Sequence, residues 1–354
     1  MPSSRISRKL PLEESLTHQP DDLSLAPGEI TRLFVSLGLA RPEEIPEVRP
    51  LTGGVSSSIA RIEFSSGTYC LKQALAQLRT AKVWKVPVER VFAEIDWLRT
   101  AGTIVPGHVP RVLGVDEATK SFVMEFLGDG YRNWKADLLS GTVDATLAAQ
   151  VGDVLGRIHA GTAHDPRIAE RFATDSNFHA IRLEPYLEET ARVHPTLAPT
   201  LNKLVLRTQQ TKIALVHGDL SPKNILVGPS GPVILDAECA WYGDPAFDLA
   251  FCLNHFLMKM AWLPGLRDAL DAAYLAMVAS YCRRVDFEPI TDLRERVSTL
   301  LPALALARVD GKSPAEYLDE PARLRVRKAA LALLHKPRLP LEDIALFWVK
   351  ELSA

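Results

Sequence analysis

The stretch Leu215-Val216-His217-Gly218-Asp219-Leu220-Ser221-Pro222-Lys223-Asn224-Ile225-Leu226-Val227, followed by Ile234-Leu235-Asp236-Ala237-Glu238, decides the reading of this chain. Apolar, strand-like runs enclose a polar loop whose Pro222 and Asn224 interrupt regular structure. Asp219 therefore sits on a loop between two strands. Asn224, five positions on, can turn its amide oxygen back toward the same point. Asp236, twelve residues past Asn224, ends the next strand with a carboxylate. A small set of hard oxygen donors suits Mg²⁺, which keeps part of its water shell and shares the phosphates of a substrate.

Phosphoryl transfer from ATP needs these parts: an Asp that accepts or orients the proton of the attacking hydroxyl, and oxygen ligands for one or two Mg²⁺ ions. Taken singly, Asp219 reads as well as a turn residue and Asp236 as a helix cap; at this joint spacing both readings are poor. The pattern resembles the catalytic loop of the kinase fold, HxDxxxxN followed by a metal-binding Asp. With Gly218 in place of arginine, and with Gly243-Asp244-Pro245-Ala246-Phe247-Asp248-Leu249-Ala250 following, it is similar to the aminoglycoside phosphotransferase and choline kinase superfamily. That resemblance implies an α+β, two-lobed, protein-kinase-like fold with a small β-rich N-terminal lobe and a larger, mainly helical C-terminal lobe. It implies ATP and Mg²⁺, with Asp219 catalytic and Asn224 and Asp236 on the metal. His217 is expected to brace the loop, and Asp244 and Asp248 to organise the large lobe.

The kinase reading makes a demand on the front half: a glycine-bearing loop, then a strand lysine, then a helix glutamate. Leu51-Thr52-Gly53-Gly54-Val55-Ser56-Ser57 fits the loop, with Gly53 and Gly54 letting backbone N–H groups approach phosphates and Ser56 and Ser57 adding hydroxyls. Ser57–Phe64 alternates like a half-buried strand, Ser65-Ser66-Gly67 turns, and Thr68–Lys72 returns. Lys72 lies on that return strand. A helix over 88–100 carries Glu94 as its partner, with Glu89 as the rival if the register differs. Two further apolar runs, 111–115 and 121–127, complete the lobe. In the superfamily the end of the last strand links the lobes and binds adenine through its backbone, which makes Met124, Glu125 and Phe126 the candidates.

Lys72-Gln73-Ala74-Leu75, Arg79, Trp84, Glu89-Arg90 and Glu94, with Asp236-Ala237-Glu238-Cys239-Ala240-Trp241-Tyr242-Gly243, look like the corresponding segments of methylthioribose kinases. That resemblance implies Glu238 near the metal and suggests a homodimer. The Gly-Gly-Val-Ser-Ser loop is closer to general aminoglycoside-phosphotransferase relatives.

The 354 residues, 47% hydrophobic and 24% charged, suit a globular chain of about two lobes. The expected division is 1–25 as a mobile tail or strap, 26–127 as the nucleotide-binding lobe and 128–354 as the catalytic and acceptor-binding lobe. A net charge of −2 gives no electrostatic footprint for nucleic acid. No apolar run reaches membrane-spanning length, and the first residues carry no apolar signal core. The four cysteines show no CxxC pair, which reads as reduced thiols in a cytoplasmic protein without a zinc site. Helices are expected over 143–160 and across 246–335, broken at Pro264, Pro289, Pro302 and Pro314.

The acceptor is expected to be a small molecule with a hydroxyl, first a methylthioribose-like sugar alcohol. An aminoglycoside is the alternative, then choline or an amino alcohol. From Phe251 onward 13 acids face 15 bases, a poor balance for pairing a polycation. His255, Met258 and Trp262 share one helix face and are candidates for the acceptor wall; the rival reading is ordinary helix packing. A non-catalytic nucleotide-binding module would lack the Asp, a metal ligand or the lysine, and all are present. A protein kinase would carry a long activation segment after Asp236, whereas Gly243-Asp244-Pro245 follows within ten residues.

Overall fold

The computed structural model describes residues 25–51, 57–75, 88–336 and 339–353. Gly53, Gly54 and Ser56 of the glycine loop, Arg79, Trp84 and residues 1–24 of the expected tail lie outside the described residues.

The N-terminal region is an antiparallel five-stranded sheet. Its strands are β1 (Glu47–Pro50), β2 (Ser57–Phe64), β3 (Gly67–Ala74), β4 (Val112–Asp116) and β5 (Ser121–Glu125), in the order β1-β2-β3-β5-β4. Alternation along a strand sends successive side chains to opposite faces. One face presents Ala60, Ile62, Phe64, Leu71 and Val123, which form a small core with Ile30 and Phe34 of α1 (Pro27–Ser36). Lys72 points the other way, flanked across the sheet by Ile59 and Phe122. That face receives α2 (Arg90–Ile104), whose Ile95, Trp97 and Leu98 join Phe122 in the larger core. The strand β1 was not legible as one: three of its four residues are exposed and it ends on Pro50, so no apolar alternation marks it.

After Glu125 the chain leaves this sheet, and by β6 (Arg132–Asn133) it pairs instead with β8 (Ile225–Gly228), which forms a hairpin with β9 (Gly231–Ile234). A second small sheet pairs β7 (Ala214–Val216) with β10 (Trp241–Gly243). The loop 217–224 runs from β7 to β8, and the loop 235–240 runs from β9 back to β10. Both polar loops thus cross between the same two sheets, which lays them side by side.

Helices make up most of the rest. The helix Ala145–Thr162 begins where Asp144 accepts the Thr146 and Leu147 N–H groups at 2.8 and 3.2 Å. Every residue from Ala246 to Ala261 of the helix Ala246–Trp262 is buried, so this helix is the axis of the lobe. The helix Ile290–Asp310 runs through Pro302, where a break was expected; the buried neighbours Leu300, Leu301, Ala303 and Leu304 hold it in place despite the missing N–H. Among the described residues, no helix is long and apolar enough to cross a membrane.

The α1 face depends on Phe34, fully buried with ring centroids 5.1 Å from Phe64 and 5.3 Å from Tyr69. Phe34→Ala is expected to cost about 3–5 kcal/mol in denaturant unfolding; an unchanged midpoint would show that α1 does not support the sheet.

Candidate active site

The loop after β7 turns at Gly218, whose φ is +78°. A Cβ there would lie 2.5 Å from the Cys239 carbonyl oxygen of the neighbouring loop, so only glycine allows the two loops this approach. Asp248 clamps the turn from the axial helix, accepting the N–H groups of His217 at 2.7 Å and Gly218 at 2.8 Å. His159 faces the same carboxylate at 3.3 Å. His217 Nε2 donates to the Leu235 carbonyl at 3.0 Å, and its Nδ1 accepts the Asp219 N–H at 3.1 Å. Burial lowers the His217 pKa, so the ring is neutral and ties the loops together. Asp244 accepts from Arg296 at 3.0 Å and from the Ala246 N–H at 2.9 Å, at the start of the axial helix.

Asp219 is buried and meets two cations. Arg182 Nη2 lies 2.8 Å from Oδ1, and Lys223 Nζ lies 3.0 Å from Oδ2. Burial pushes this carboxyl up, but Arg182 and Lys223 more than offset it and hold it below its ordinary value. Arg182 comes from a π-helical turn, His179–Glu188, which contains Pro185, and its Nε also donates to the Gly218 carbonyl. Asn224 spends its amide N–H₂ on Asp219, at 3.0 Å to the backbone oxygen and 2.9 Å to Oδ2. With Nδ2 spent on Asp219, its side-chain oxygen is the group that could serve a cation.

Asp236 has a φ of +66°, a left-handed conformation uncommon outside glycine and better tolerated by Asp and Asn. Lys72 Nζ reaches it at 2.5 Å and Glu94 Oε1 at 2.7 Å, so the strand lysine bridges the helix glutamate and the large-lobe carboxylate. Burial opposes the ammonium, yet Asp236 and Glu94 raise its pKa above the ordinary lysine value. Asp236 is correspondingly held low against its own burial. Glu238, two residues on, accepts from Arg90 Nε at 2.9 Å.

These groups share one cavity of about 940 Å³ between the sheet and the helical lobe. Ser57, Lys72, Glu94, Asp219, Asn224, Asp236 and Glu238 all line it. Met124 and Phe126 line it at the end of β5, with Arg61 at 4.7 Å from the Phe126 ring centroid. Glu125 lines it too, although its carboxylate turns back to Arg111, 2.9 Å from Nε. His255 lines the far end. Met258 and Trp262 do not: Met258 is fully buried in the core, and Trp262, two turns beyond His255, meets Tyr317 edge-on at 6.1 Å. Sharing a helix face was not enough, because the cavity reaches only the His255 level. Sequence reasoning missed Arg182 and gave Lys223 no role. Arg182 lies 37 positions before Asp219, and the one signal was a charge between buried Ile181 and Leu183.

The donors fit a hard divalent cation. The Asn224 side-chain oxygen and the Asp236 carboxylate are oxygen donors that could serve a cation from the cavity wall, and the two loops are tied beside each other by the Leu235 N–H donating to the Asn224 backbone carbonyl at 2.9 Å. Among the described residues no cluster of three or more His, Cys, Asp or Glu side chains could hold a metal. A sparse oxygen set of this kind matches Mg²⁺, which relies on water and phosphate for its remaining ligands.

The fold and this site define a phosphotransferase class. The sequence pattern described as "Phosphotransferase enzyme family" matches residues 47–287, and the chain belongs to that family. It is a small-molecule kinase. It is 26% identical over 306 residues to a methylthioribose kinase of Pectobacterium atrosepticum, covering 78% of this chain and 74% of that protein. It is 25% identical over 266 residues to a methylthioribose kinase of Erwinia tasmaniensis, covering 66% of each. Its fold is similar to that of a Plasmodium vivax ethanolamine kinase, with TM-score 0.53 and 13% identity over 92% of this chain and 87% of that one. An amicoumacin kinase solved with AMP-PNP and Ca²⁺ is similar at TM-score 0.51 and 16% identity, over 91% and 92%.

Gly218→Ala is expected to destabilise the protein by more than about 1 kcal/mol, because φ and the Cys239 contact both oppose it, and to depress turnover; wild-type stability by thermal denaturation would contradict this. Arg182→Met removes one of the two cations that hold Asp219 down. The acidic limb of the pH–rate profile is expected to move to higher pH; an unmoved limb would show that Arg182 does not tune Asp219.

Proposed function

We propose that this chain transfers the γ-phosphoryl group of ATP to a hydroxyl of a small, sugar-like metabolite, with Mg²⁺ as the metal. The observation that carries the reading is the convergence of Lys72, Asp219, Asn224 and Asp236 on one cavity between the lobes. The similarity to methylthioribose kinases supports a sugar-like alcohol as acceptor.

In this reading Lys72, held by Glu94, faces the nucleotide phosphates, and Ser57 with the Gly53–Ser56 loop closes over them. Met124, Glu125 and Phe126 flank the adenine. Asn224 and Asp236 hold the metal, with Glu238 beside them. When bound, the ion neutralises charge on the phosphates. Asp219, ionised at neutral pH, accepts a hydrogen bond from the acceptor hydroxyl and aligns its oxygen. The acceptor O–P bond forms, the bond from γ-phosphorus to the β–γ bridging oxygen breaks, ADP leaves, and the hydroxyl proton passes to Asp219. A carboxylate held below its ordinary pKa is a weak base, so its main work is orientation, which suits a loose transition state. Lys223, half-exposed beside Asp219, is placed to meet charge on the transferring group. Every residue in this reading comes from one chain, so it does not depend on a dimer.

Asp219→Asn and Asp236→Asn are each expected to lower kcat by about 10²–10⁴-fold while circular dichroism stays unchanged. The measurement is ADP release in the presence of an acceptor that the wild type phosphorylates. Near-wild-type turnover in either variant would overturn the assignment; Mg·ATP binding without turnover across sugar, amino-alcohol and aminoglycoside acceptors would point to a non-catalytic module.

A further inference from the structure

Beyond Asp219 the cavity ends in a wall that the transfer step does not use. His255, Arg308, Glu316, Tyr317 and Lys135 line it. Lys135 is paired with Glu316. Arg308, buried on the helix Ile290–Asp310, spends Nη1 on the carbonyl and hydroxyl of Ser313, both uncharged. Among the described residues its Nε has no partner.

Lys259 stands one helical turn from His255 and is fully buried. Its Nζ lies 5.2 Å from the Tyr317 ring centroid and, among the described residues, has no hydrogen-bond partner. The buried Tyr317 hydroxyl has none either. An isolated ammonium out of water is costly unless a counter-charge meets it. Burial, reinforced by Lys135, pushes the Lys259 pKa down to about 7. Burial, reinforced by Lys259 and Arg308, holds His255 well below its ordinary value. The one carboxylate on this wall, Glu316, is already engaged by Lys135. Among the described residues, this end thus holds Arg308 and the unspent donors of Arg308, Lys259 and Tyr317, while its carboxylate, Glu316, is already engaged.

We propose that the acceptor carries an anionic group, a carboxylate or a phosphate, met on the cavity wall by Arg308 and the Tyr317 hydroxyl, with Lys259 a second, buried cation against the Tyr317 ring, while its own hydroxyl faces Asp219. This rests on the kinase reading and names the substrate class within it. A polycationic or quaternary-ammonium acceptor meets like charge here, which disfavours both aminoglycosides and choline.

The probes are D-ribose, D-ribonate and D-ribose 5-phosphate, with choline and kanamycin as cationic controls. Binding to the full chain with Mg·AMP-PNP is followed by calorimetry, and phosphoryl transfer from ATP by ADP release. At least one of the two anionic probes is expected to bind or react about tenfold or more better than D-ribose, and which of the two does so identifies the anion. Arg308→Gln and Lys259→Met are expected to erase that preference while leaving Mg·AMP-PNP affinity unchanged. Lys259→Met keeps the side-chain volume and removes an unpaired charge, so it is expected to fold with a Tm at or above wild type. A preference for D-ribose or a cationic probe overturns the proposal, as does failure of both anions to bind a chain that binds Mg·AMP-PNP. So does an anion preference that survives in both variants. A chain that does not bind Mg·AMP-PNP fails the kinase reading itself, before this question arises.

Discussion

The structure depends on one buried ammonium. Lys72 leaves the N-terminal sheet and is held between Glu94 of α2 and Asp236 of the helical lobe. An ion triad out of water is a poor source of net stability, since desolvation consumes much of the attraction. Its value lies in position. It fixes the sheet, the helix on its inner face and the loop after β9 relative to one another, and places the ammonium on the wall of a shared cavity. Removing Lys72 leaves two carboxyl groups without their cation, whereas removing either carboxylate leaves the lysine paired with the other.

Around that triad the electrostatics divide the cavity in two. The end proposed for the nucleotide gathers Glu94, Asp236 and Glu238 against Lys72 and Arg90, a region that gains from a divalent cation. The end proposed for the acceptor gathers Arg182, Lys223, Lys135 and Arg308 against Asp219 and Glu316, with Lys259 buried behind it. Asp219 sits at the junction with its charge fixed by two cations, and Asp248 and His217 hold its loop through backbone groups. The rigidity comes from hydrogen bonds that act on the main chain, so the loop geometry survives independently of what fills the cavity.

Much of this was legible in the sequence because local spacing carried it. The separation of Asp219, Asn224 and Asp236 reflects two loops crossing between the same pair of small sheets. Lys72 was legible because period-2 alternation assigns its face, and Glu94 because the next helix must cover that face. What escaped detection comes from elements remote in the chain. Arg182, Lys259 and Arg308 are single cations inside apolar runs, and nothing in those runs says which cavity they approach. The opposite error befell Met258 and Trp262. Helical periodicity put them in line with His255, but periodicity fixes an angle around the axis and says nothing of how far along it a cavity extends.

The central claim is that these side chains form one divalent-metal and nucleotide site. The most direct measurement is a crystal structure of the protein with AMP-PNP and Mn²⁺, the metal located by its anomalous signal. The account expects the metal on Asp236 and the Asn224 carbonyl oxygen, and Lys72 drawn from Asp236 onto the phosphates with its Glu94 contact kept. A metal or nucleotide bound elsewhere, with Lys72 still bridging Asp236 and Glu94, would contradict it.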